Sequence, residues 1–597
     1  MLPWARLEWH EDIPWSPDFS DGYFGSAEPR AEIDAVFIAG NRLEQRLTST
    51  QRFAIGETGF GSGLNFLHTL ELWRKLRRPG AFLSFLSIEA FPLPPSALRS
   101  ILTYSGIALS DIDGLLAQYP TPVSGSHRLH FPRDNVVLTL LLGDAAPSLA
   151  QQRGTVDAWY LDGFAPARNP SIWNLSVFRE MRRLSGPGTT LGTFTVAGQV
   201  RRDLIEAGFQ VAKKPGHGNK RERLEGWVAI TGQPEAGTGE PPGVGATECP
   251  KVIVVGAGIG GLATARALQD RGCDVTVVDP AGPGGGASGN PAALLTPNLA
   301  ATEAARNNLA RAGLREARSL IKQIAHTRPH CILGEGVEHH GITAHAGRRL
   351  RHLQNLPESI HLEDLFTSLS PIEAPTPTLF YPTALAVCMR ELCQGLAETL
   401  DIRKTTVVAH RSKTEREACR DHCLTLDDGS QMTARFVVFA TGTGSAPAGL
   451  DWETPNTVAG QMTCLQPPLK PGLSHAVTGK GYCIPAKNHR QWIGATYRRI
   501  SPTQPAGRCD ADDRENRTQL NWLAPAASPE PAIIDSWYGE RAVFPNRLPR
   551  VGAIKSVPGA FLCHGFGSRG LLYAPLAAQL LADQILNLPE LLPASLS

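Results

Sequence analysis

The segment "VIVVGAGIGGLATARAL" (Val252–Leu268) constrains this chain more than any other. An apolar β-forming run meets Gly256, Gly258 and Gly261 in a G-x-G-x-x-G turn, and a helical stretch follows. A second apolar strand, "CDVTVVD", then ends on Asp279. Strand, glycine turn, helix, strand and terminal acid form a βαβ unit suited to a dinucleotide. Glycines let the backbone approach a pyrophosphate, the helix N-terminus favours its charge, and the acid reaches ribose hydroxyls.

A chain of 597 residues exceeds one hydrophobic core. Composition changes most sharply at Thr231–Pro250, "TGQPEAGTGEPPGVGATECP", which lacks apolar periodicity and reads as a flexible linker. The expected division is a first domain over 1–231, a linker over 232–249 and a second domain over 250–597. Before the linker, strand-like runs ("RFAIGE", "FLSFLSIEA", "VVLTLLLGD", "DAWYLD") alternate with helical ones ("LNFLHTLELWRKL", "WNLSVFREMRRL"). This βαβα rhythm predicts an α/β fold with a doubly wound sheet in each half.

Eleven cysteines, none before Cys249 and none in a CxxC pair, argue against a disulfide framework and a thiolate zinc site, so no metal is expected. The start, "MLPWARLEWHEDIPW", carries acids and no continuous apolar core, unlike a secretory signal. Apolar runs such as "VVLTLLLG" are too short to span a bilayer, which points to a cytoplasmic protein without a membrane partner. A net charge of +2 neither requires nor excludes a polyanionic partner.

A second glycine loop, "GETGFGSGLNF" (Gly56–Phe66), follows the strand "RFAI" and alternates Glu57, Gly59, Gly61 and Gly63. It lacks the G-x-G-x-x-G spacing, and alone it is as compatible with a plain tight turn. The later strands of this half end on Glu89, Asp144 and Asp162. Any one such acid is more often a solvated turn residue or helix cap. Four on successive strand ends make a cofactor rim, where Glu89 can accept ribose hydroxyls. The loop resembles motif I of class I S-adenosylmethionine-dependent methyltransferases. That resemblance implies S-adenosylmethionine (SAM) at Glu57, Gly59, Gly61, Gly63, Glu89 and Asp144, and places Asp162 beside the methyl acceptor.

In the second half, "GGGASGN" (Gly284–Asn290, with Ser288 and Gly289) and "RFVVFATGTG" (Arg435–Gly444, with Gly442) suit FAD better than NAD. "LCHGFGSRGLLYAPLAAQLLADQI" (Leu562–Ile585) resembles the terminal FAD-binding helix of the D-amino-acid oxidase family, with Gly567, Ser568 and Gly570 at its start. That family holds amino-acid carboxylates with arginine, whose donor fork matches a carboxylate. Arg569 matches one such position, Arg541 in "GERAVFPNRLPRVG" resembles another, and Tyr482 is a further candidate wall. For each arginine, a surface charge or structural ion pair remains the plain alternative.

The two halves together, and above all "LDGFAPARNP" (Leu161–Pro170), resemble the MnmC family of bifunctional tRNA 5-methylaminomethyl-2-thiouridine biosynthesis proteins. The likeness spans nearly the whole chain and departs from the family at "GNPAALLTPN" (Gly289–Asn298). It implies a tRNA substrate carrying a 5-carboxymethylaminomethyl uridine, often 2-thiolated, at wobble position 34. The second half would oxidise the side-chain amine with FAD, and imine hydrolysis would release glyoxylate. The first half would then methylate the resulting primary amine, aided by Asp162. Contacts to tRNA are expected from Lys213, Lys214, Lys220 and Arg221, beside Arg201, Arg202 and Arg223, with Phe164 and Trp173 as stacking partners. A monomer is expected, and the oxidase substrate subdomain over 307–378. The rival readings are a fused methyltransferase and oxidase for small glycine- or sarcosine-like amines, and a non-catalytic tRNA-binding scaffold.

Overall fold

A computed structural model describes residues 1–24, 28–218, 221–230, 249–297, 299–300, 304–356, 365–412, 421–500, 506–524 and 530–589. Nearly all of the expected linker, 232–248, lies outside them. The chain forms two compact units. The first comprises Met1–Cys249 with two short additions, Asp270–Gly272 and Asp583–Leu592, and the second holds the remainder.

In the first unit, strands β1 (Glu8–His10), β2 (Ile13–Ser16) and β3 (Asp21–Gly22) make a small antiparallel sheet. The main sheet contains β4 (Arg52–Glu57), β5 (Phe82–Glu89), β6 (Gly125–Phe131), β7 (Val136–Leu142), β8 (Val156–Tyr160), β9 (Ser185–Thr193), β10 (Gln210–Pro215) and β11 (Glu222–Trp227). Its order is β10-β11-β9-β8-β4-β5-β7-β6. The five central strands, β7 to β9 in that order, pair in parallel. Their sequences are near-continuous apolar runs because helices cover both faces of such a sheet. "VVLTLLL" in β7 is buried at every position. The rhythm of the sequence misses β6, a mixed-polarity edge strand antiparallel to β7.

Helix Leu64–Leu76 follows β4 and buries Phe66, Leu67, Leu70 and Trp73, each worth about 1.5–3 kcal/mol in transfer terms. Chain order reverses between β4 and β8, so the carboxyl ends of β4, β5, β7 and β8 open on the crevice expected at a switch point.

In the second unit, a six-stranded sheet orders Asp401–Arg403, Asp274–Val278, Lys251–Val255, Phe436–Phe439, Ala560–His564 and Arg550–Ala553. All neighbours are parallel except the last pair. A large second sheet includes Ile332–His340, Thr378–Val387 and the long antiparallel pair Asn456–Gln466 and Ala532–Val543. This sheet gathers strands from well beyond the 307–378 segment expected to form a substrate subdomain.

Candidate active sites

At the switch point of the first unit lies a cavity of about 520 Å³. Its walls come from the β4 loop (Thr58–Ser62), Glu89–Phe91, Gly143–Pro147, the Asp162–Ala165 loop, and Phe19 to Phe24 of the small N-terminal sheet. Five carboxylates line it, from Asp21, Glu32, Glu89, Asp144 and Asp162, with no lysine, arginine or histidine among the described lining residues. Such a site favours a cation.

Asp162 follows β8 and is fixed on several sides. Its backbone exchanges hydrogen bonds with Thr58, whose hydroxyl donates to Asp162 O at 2.8 Å and accepts from Asp162 N at 3.1 Å. Its Oδ1 accepts from Gly163 N at 2.8 Å, and its Oδ2 from Asn65 Nδ2 at 2.7 Å. The irregular loop behind it is tied to the N-terminal sheet, where Asp21 Oδ2 accepts from Ala165 N at 2.8 Å. Phe164 stacks on Phe19 at 4.7 Å and meets Tyr23 edge-on at 5.1 Å, giving the cavity an aromatic wall. Nothing in the sequence ties Phe19, Asp21 or Tyr23 to Asp162, about 140 residues later.

The other acids of the rim do different work. Glu89 accepts from Gly61 N and Phe91 N, both at 2.7 Å, and so shapes the glycine loop while lining the cavity. Burial pushes its pKa up, against those backbone donors. Asp144 is exposed at the mouth. Glu57 corrects the expectation of a direct SAM ligand. It is fully buried and outside the lining, bonded to Asn65 Nδ2 at 2.8 Å and Ser87 Oγ at 2.6 Å. Burial pushes its pKa well above the usual carboxylate range. Gly59 and Gly61 line the cavity; Gly63 precedes the helix instead and is outside the lining. Trp173 is a second correction. It is 4% exposed and its indole donates to Phe164 O at 2.7 Å, so it braces the loop and cannot stack on an incoming base.

The second unit holds a cavity of about 780 Å³ beside the G-x-G-x-x-G turn. Gly256 has φ +114°, and a Cβ there would lie 2.3 Å from Ala440 O. A Cβ on Gly261 would lie 1.8 Å from Gly256 O. Gly256 therefore lets the turn approach the neighbouring strand, and Gly261, outside the lining, lets helix Ile259–Asp270 pack on the turn. Gly258, Gly286 and Gly442 face the cavity, and a Cβ on Gly286 or Gly442 would meet nothing within 4 Å. That bare backbone is a cradle of the kind a dinucleotide needs.

Asp279 lines the cavity while accepting from Ala257, Ala281 and Gly282 N at 2.8, 2.8 and 2.9 Å. Ser288 Oγ accepts from Ile259 N at 2.9 Å. Gly289 is buried behind the lining. Gly567, Ser568 and Gly570 close the far side, where a short turn enters helix Gly570–Ile585. The residues present fit FAD.

Arg541 is the one lysine or arginine among the described lining residues of this cavity. It lies across Gly460, where a Cβ would come within 2.3 Å of its Nη2. Its Nη1 donates to Thr496 O at 3.3 Å. Burial pushes its pKa down, partly offset by Tyr482 and Tyr497. The Tyr482 hydroxyl donates to Ala292 O at 2.7 Å, beside the same cavity. Arg569, the stronger match by sequence, is outside the lining. It sits half-buried on the turn Gly567–Arg569, and burial lowers its pKa with help from Arg306, Arg547 and Arg349.

Two family descriptions match the chain: "FAD dependent oxidoreductase" over residues 251–584 and "S-adenosyl-L-methionine-dependent methyltransferase" over residues 110–229. The tRNA 5-methylaminomethyl-2-thiouridine biosynthesis bifunctional protein MnmC of Pseudomonas paraeruginosa is 35% identical, covering 99% of this chain and 96% of its own. The protein of that name from Caulobacter vibrioides is 34% identical, covering 100% of this chain and 97% of its own. The chain belongs to the MnmC family. Among solved structures, glycine oxidase from Geobacillus kaustophilus matches 59% of the chain and 99% of its own at 22% identity, with a TM-score of 0.48. Like its MnmC relatives, the chain joins a SAM-dependent methyltransferase to an FAD-dependent oxidoreductase, as its sequence implied.

Of the basic residues expected to meet tRNA, Lys213, Lys214, Arg221 and Arg223 lie at the β10–β11 edge of this MnmC chain, and Arg201 and Arg202 on helix Gly198–Ala207. Lys213 pairs with Glu222 at 2.7 Å and Arg223 with Glu225 at 2.6 Å, while Lys214 and Arg221 flank them. Lys220 lies outside the described residues. Among the described residues, no helix is long and apolar enough to cross a membrane.

Proposed function

We propose that the chain converts 5-carboxymethylaminomethyl uridine at tRNA position 34 into the aminomethyl and then the methylaminomethyl form. The contrast in charge between the two cavities carries this reading. The substrate of the first step bears a carboxylate on its amine, and Arg541, partly buried, is the one lysine or arginine among the described lining residues of the flavin cavity. A guanidinium there would pair with that carboxylate and hold the adjacent carbon for oxidation. Bound FAD would supply the hydride acceptor. Gly256, Gly258, Asp279, Ser288, Gly442 and the turn at Gly567–Gly570 would hold it, with Tyr482 walling the substrate side. Arg569, on the turn beside the cavity, would be a second guanidinium for the substrate carboxylate.

The product of that step is a bare amine, whose free pKa is about 10.4 by analogy with lysine. The acidic cavity of the first unit would accept it and repel the carboxylated precursor. Bound SAM would supply the methyl group. Gly59, Gly61 and Glu89 would hold its ribose side and Asp144 its adenine side, while Asp162 would face the amine. A guanidinium at the substrate side of one cavity and carboxylates in the other would thus set the order of the steps. The β10–β11 cations would contribute to tRNA binding through phosphates.

The test is mass spectrometry of tRNA nucleosides after incubation, with each cofactor omitted in turn. Without SAM the aminomethyl nucleoside should accumulate. Without oxidation the carboxymethylated form should persist unmethylated. Direct methylation of the carboxymethylated nucleoside would refute the ordering, and activity on free glycine or sarcosine instead of tRNA would favour the small-amine reading.

A further inference from the structure

Asn65, the second residue of helix Leu64–Leu76, is 8% exposed and lines the acidic cavity. Its Nδ2 lies 2.8 Å from Glu57 Oε1 and 2.7 Å from Asp162 Oδ2. A carboxamide nitrogen has two hydrogens and no acceptor capacity, whereas its oxygen can only accept. Placed between the two carboxyl groups, the nitrogen gives one hydrogen to each acid. We propose that Asn65 is the positioning residue of the methyl-transfer site, holding Asp162 as an ionised, immobile carboxylate that serves as a fixed negative charge and not as a proton store. The proposal rests on the reading that Asp162 faces the acceptor amine.

The surroundings explain why such a clamp is needed. Among the described residues lining the cavity with Asp162, the carboxyl groups are Glu89 on β5, Asp144 after β7, and Asp21 and Glu32 from the N-terminal segment, with Tyr23 beside them, and Glu57 on β4 lies across Asn65. These acids oppose its ionisation. Hydrogen bonds from Asn65 and Gly163 to the two carboxylate oxygens oppose that effect, because donors stabilise the charged form. Glu57, on the far side of the amide and fully buried, is the acid of the pair driven toward its neutral form. Asn65 therefore lets one carboxyl group stay charged beside another.

The chemical consequence follows. As the amine lone pair forms the N–C bond, the methyl–sulfur pair stays with sulfur and the nitrogen becomes positive. A carboxylate already in place stabilises that charge as it develops, with no reorganisation. Two donors already bound make Asp162 a poor base, so the proton leaves the nitrogen afterwards to water.

The test uses the full-length, FAD-loaded enzyme and tRNA carrying the aminomethyl uridine. Methylation kcat is measured across about pH 5.5–9, and S-adenosylhomocysteine affinity by calorimetry. In the wild type the rate falls with acidity only as the amine protonates, because the clamped Asp162 stays ionised across this range. Asn65→Leu should add a second, steeper fall at the acid end and lower kcat at neutral pH about tenfold, with affinity for S-adenosylhomocysteine within about twofold. Asn65→Ser, whose hydroxyl cannot reach both acids, should add the same fall and exclude a packing defect from leucine. Asp162→Asn should show no second fall, and adding Asn65→Leu to it should neither create one nor cost anything more. A uniform loss with an unmoved pH profile in both Asn65 variants would overturn the role of Asn65 alone. Full methylation by Asp162→Asn would overturn the reading of Asp162 itself, and the clamp with it.

Discussion

The methyl-transfer cavity and the flavin cavity are each entered past a glycine turn at the carboxyl end of parallel strands, with a helix starting at the turn. Beyond that shared device their chemistry diverges. The first presents five carboxylates and no lysine or arginine among its described lining residues; the second presents Arg541 with Asp279 and Glu540. The fold supplies a cradle for a nucleotide-like cofactor in both cases. The side chains beyond the strand ends decide which form of the substrate amine is welcome.

Arg541 offers the most forceful way to break that contrast. Arg541→Met should lower kcat/KM for oxidation of carboxymethylated tRNA about 10³-fold, as expected for losing one partner of a buried charge pair, while methylation of aminomethyl tRNA is unchanged. An equal loss in both assays would show that the arginine supports the protein generally and not one cavity. Asp162→Asn should have a smaller and opposite signature. Methylation should slow about 10²-fold with oxidation and S-adenosylhomocysteine binding intact.

Acid should separate the units more gently. In the second unit, burial pushes His339, His422 and His564 down to about 4. A depressed histidine stabilises the fold above its unfolded pKa of about 6.5, and that stability is lost as pH falls toward the folded value. In the first unit Glu57, Glu89 and Asp157 are pushed up by burial, so acid relieves their cost there. Between about pH 6.5 and 4.5, the transition that releases flavin fluorescence should shift to lower temperature more than the transition sensitive to S-adenosylhomocysteine. Identical shifts would remove this part of the contrast.

Motifs made of neighbouring residues were legible in the sequence. The G-x-G-x-x-G unit, Asp279 and the strand-end acids Glu89, Asp144 and Asp162 reach their cavities because a strand, its turn and the next helix are local in the chain. Glu57 was misread because a strand-end acid can point inward as readily as outward, and its partners Ser87 and Asn65 come from separate elements. Trp173 was misread for a similar reason, since an aromatic in a loop looks available until the loop folds over it. The ranking of Arg541 and Arg569 also changed. Arg569 has the more recognisable motif, but Arg541 reaches the cavity because Gly460 on the neighbouring strand leaves it room.

The sequence by itself determined that two nucleotide-type cradles lie in one chain, because backbone conformation at a glycine turn and the apolar rhythm around it are local properties. Only the tertiary structure decided which charged groups face each cavity. Asp162 gains its meaning from Asn65, Thr58 and Asp21, which other elements bring to it, and Arg541 from a strand some eighty residues earlier. A side chain's ionisation and aim depend on what surrounds it in space, and those neighbours are far apart along the chain.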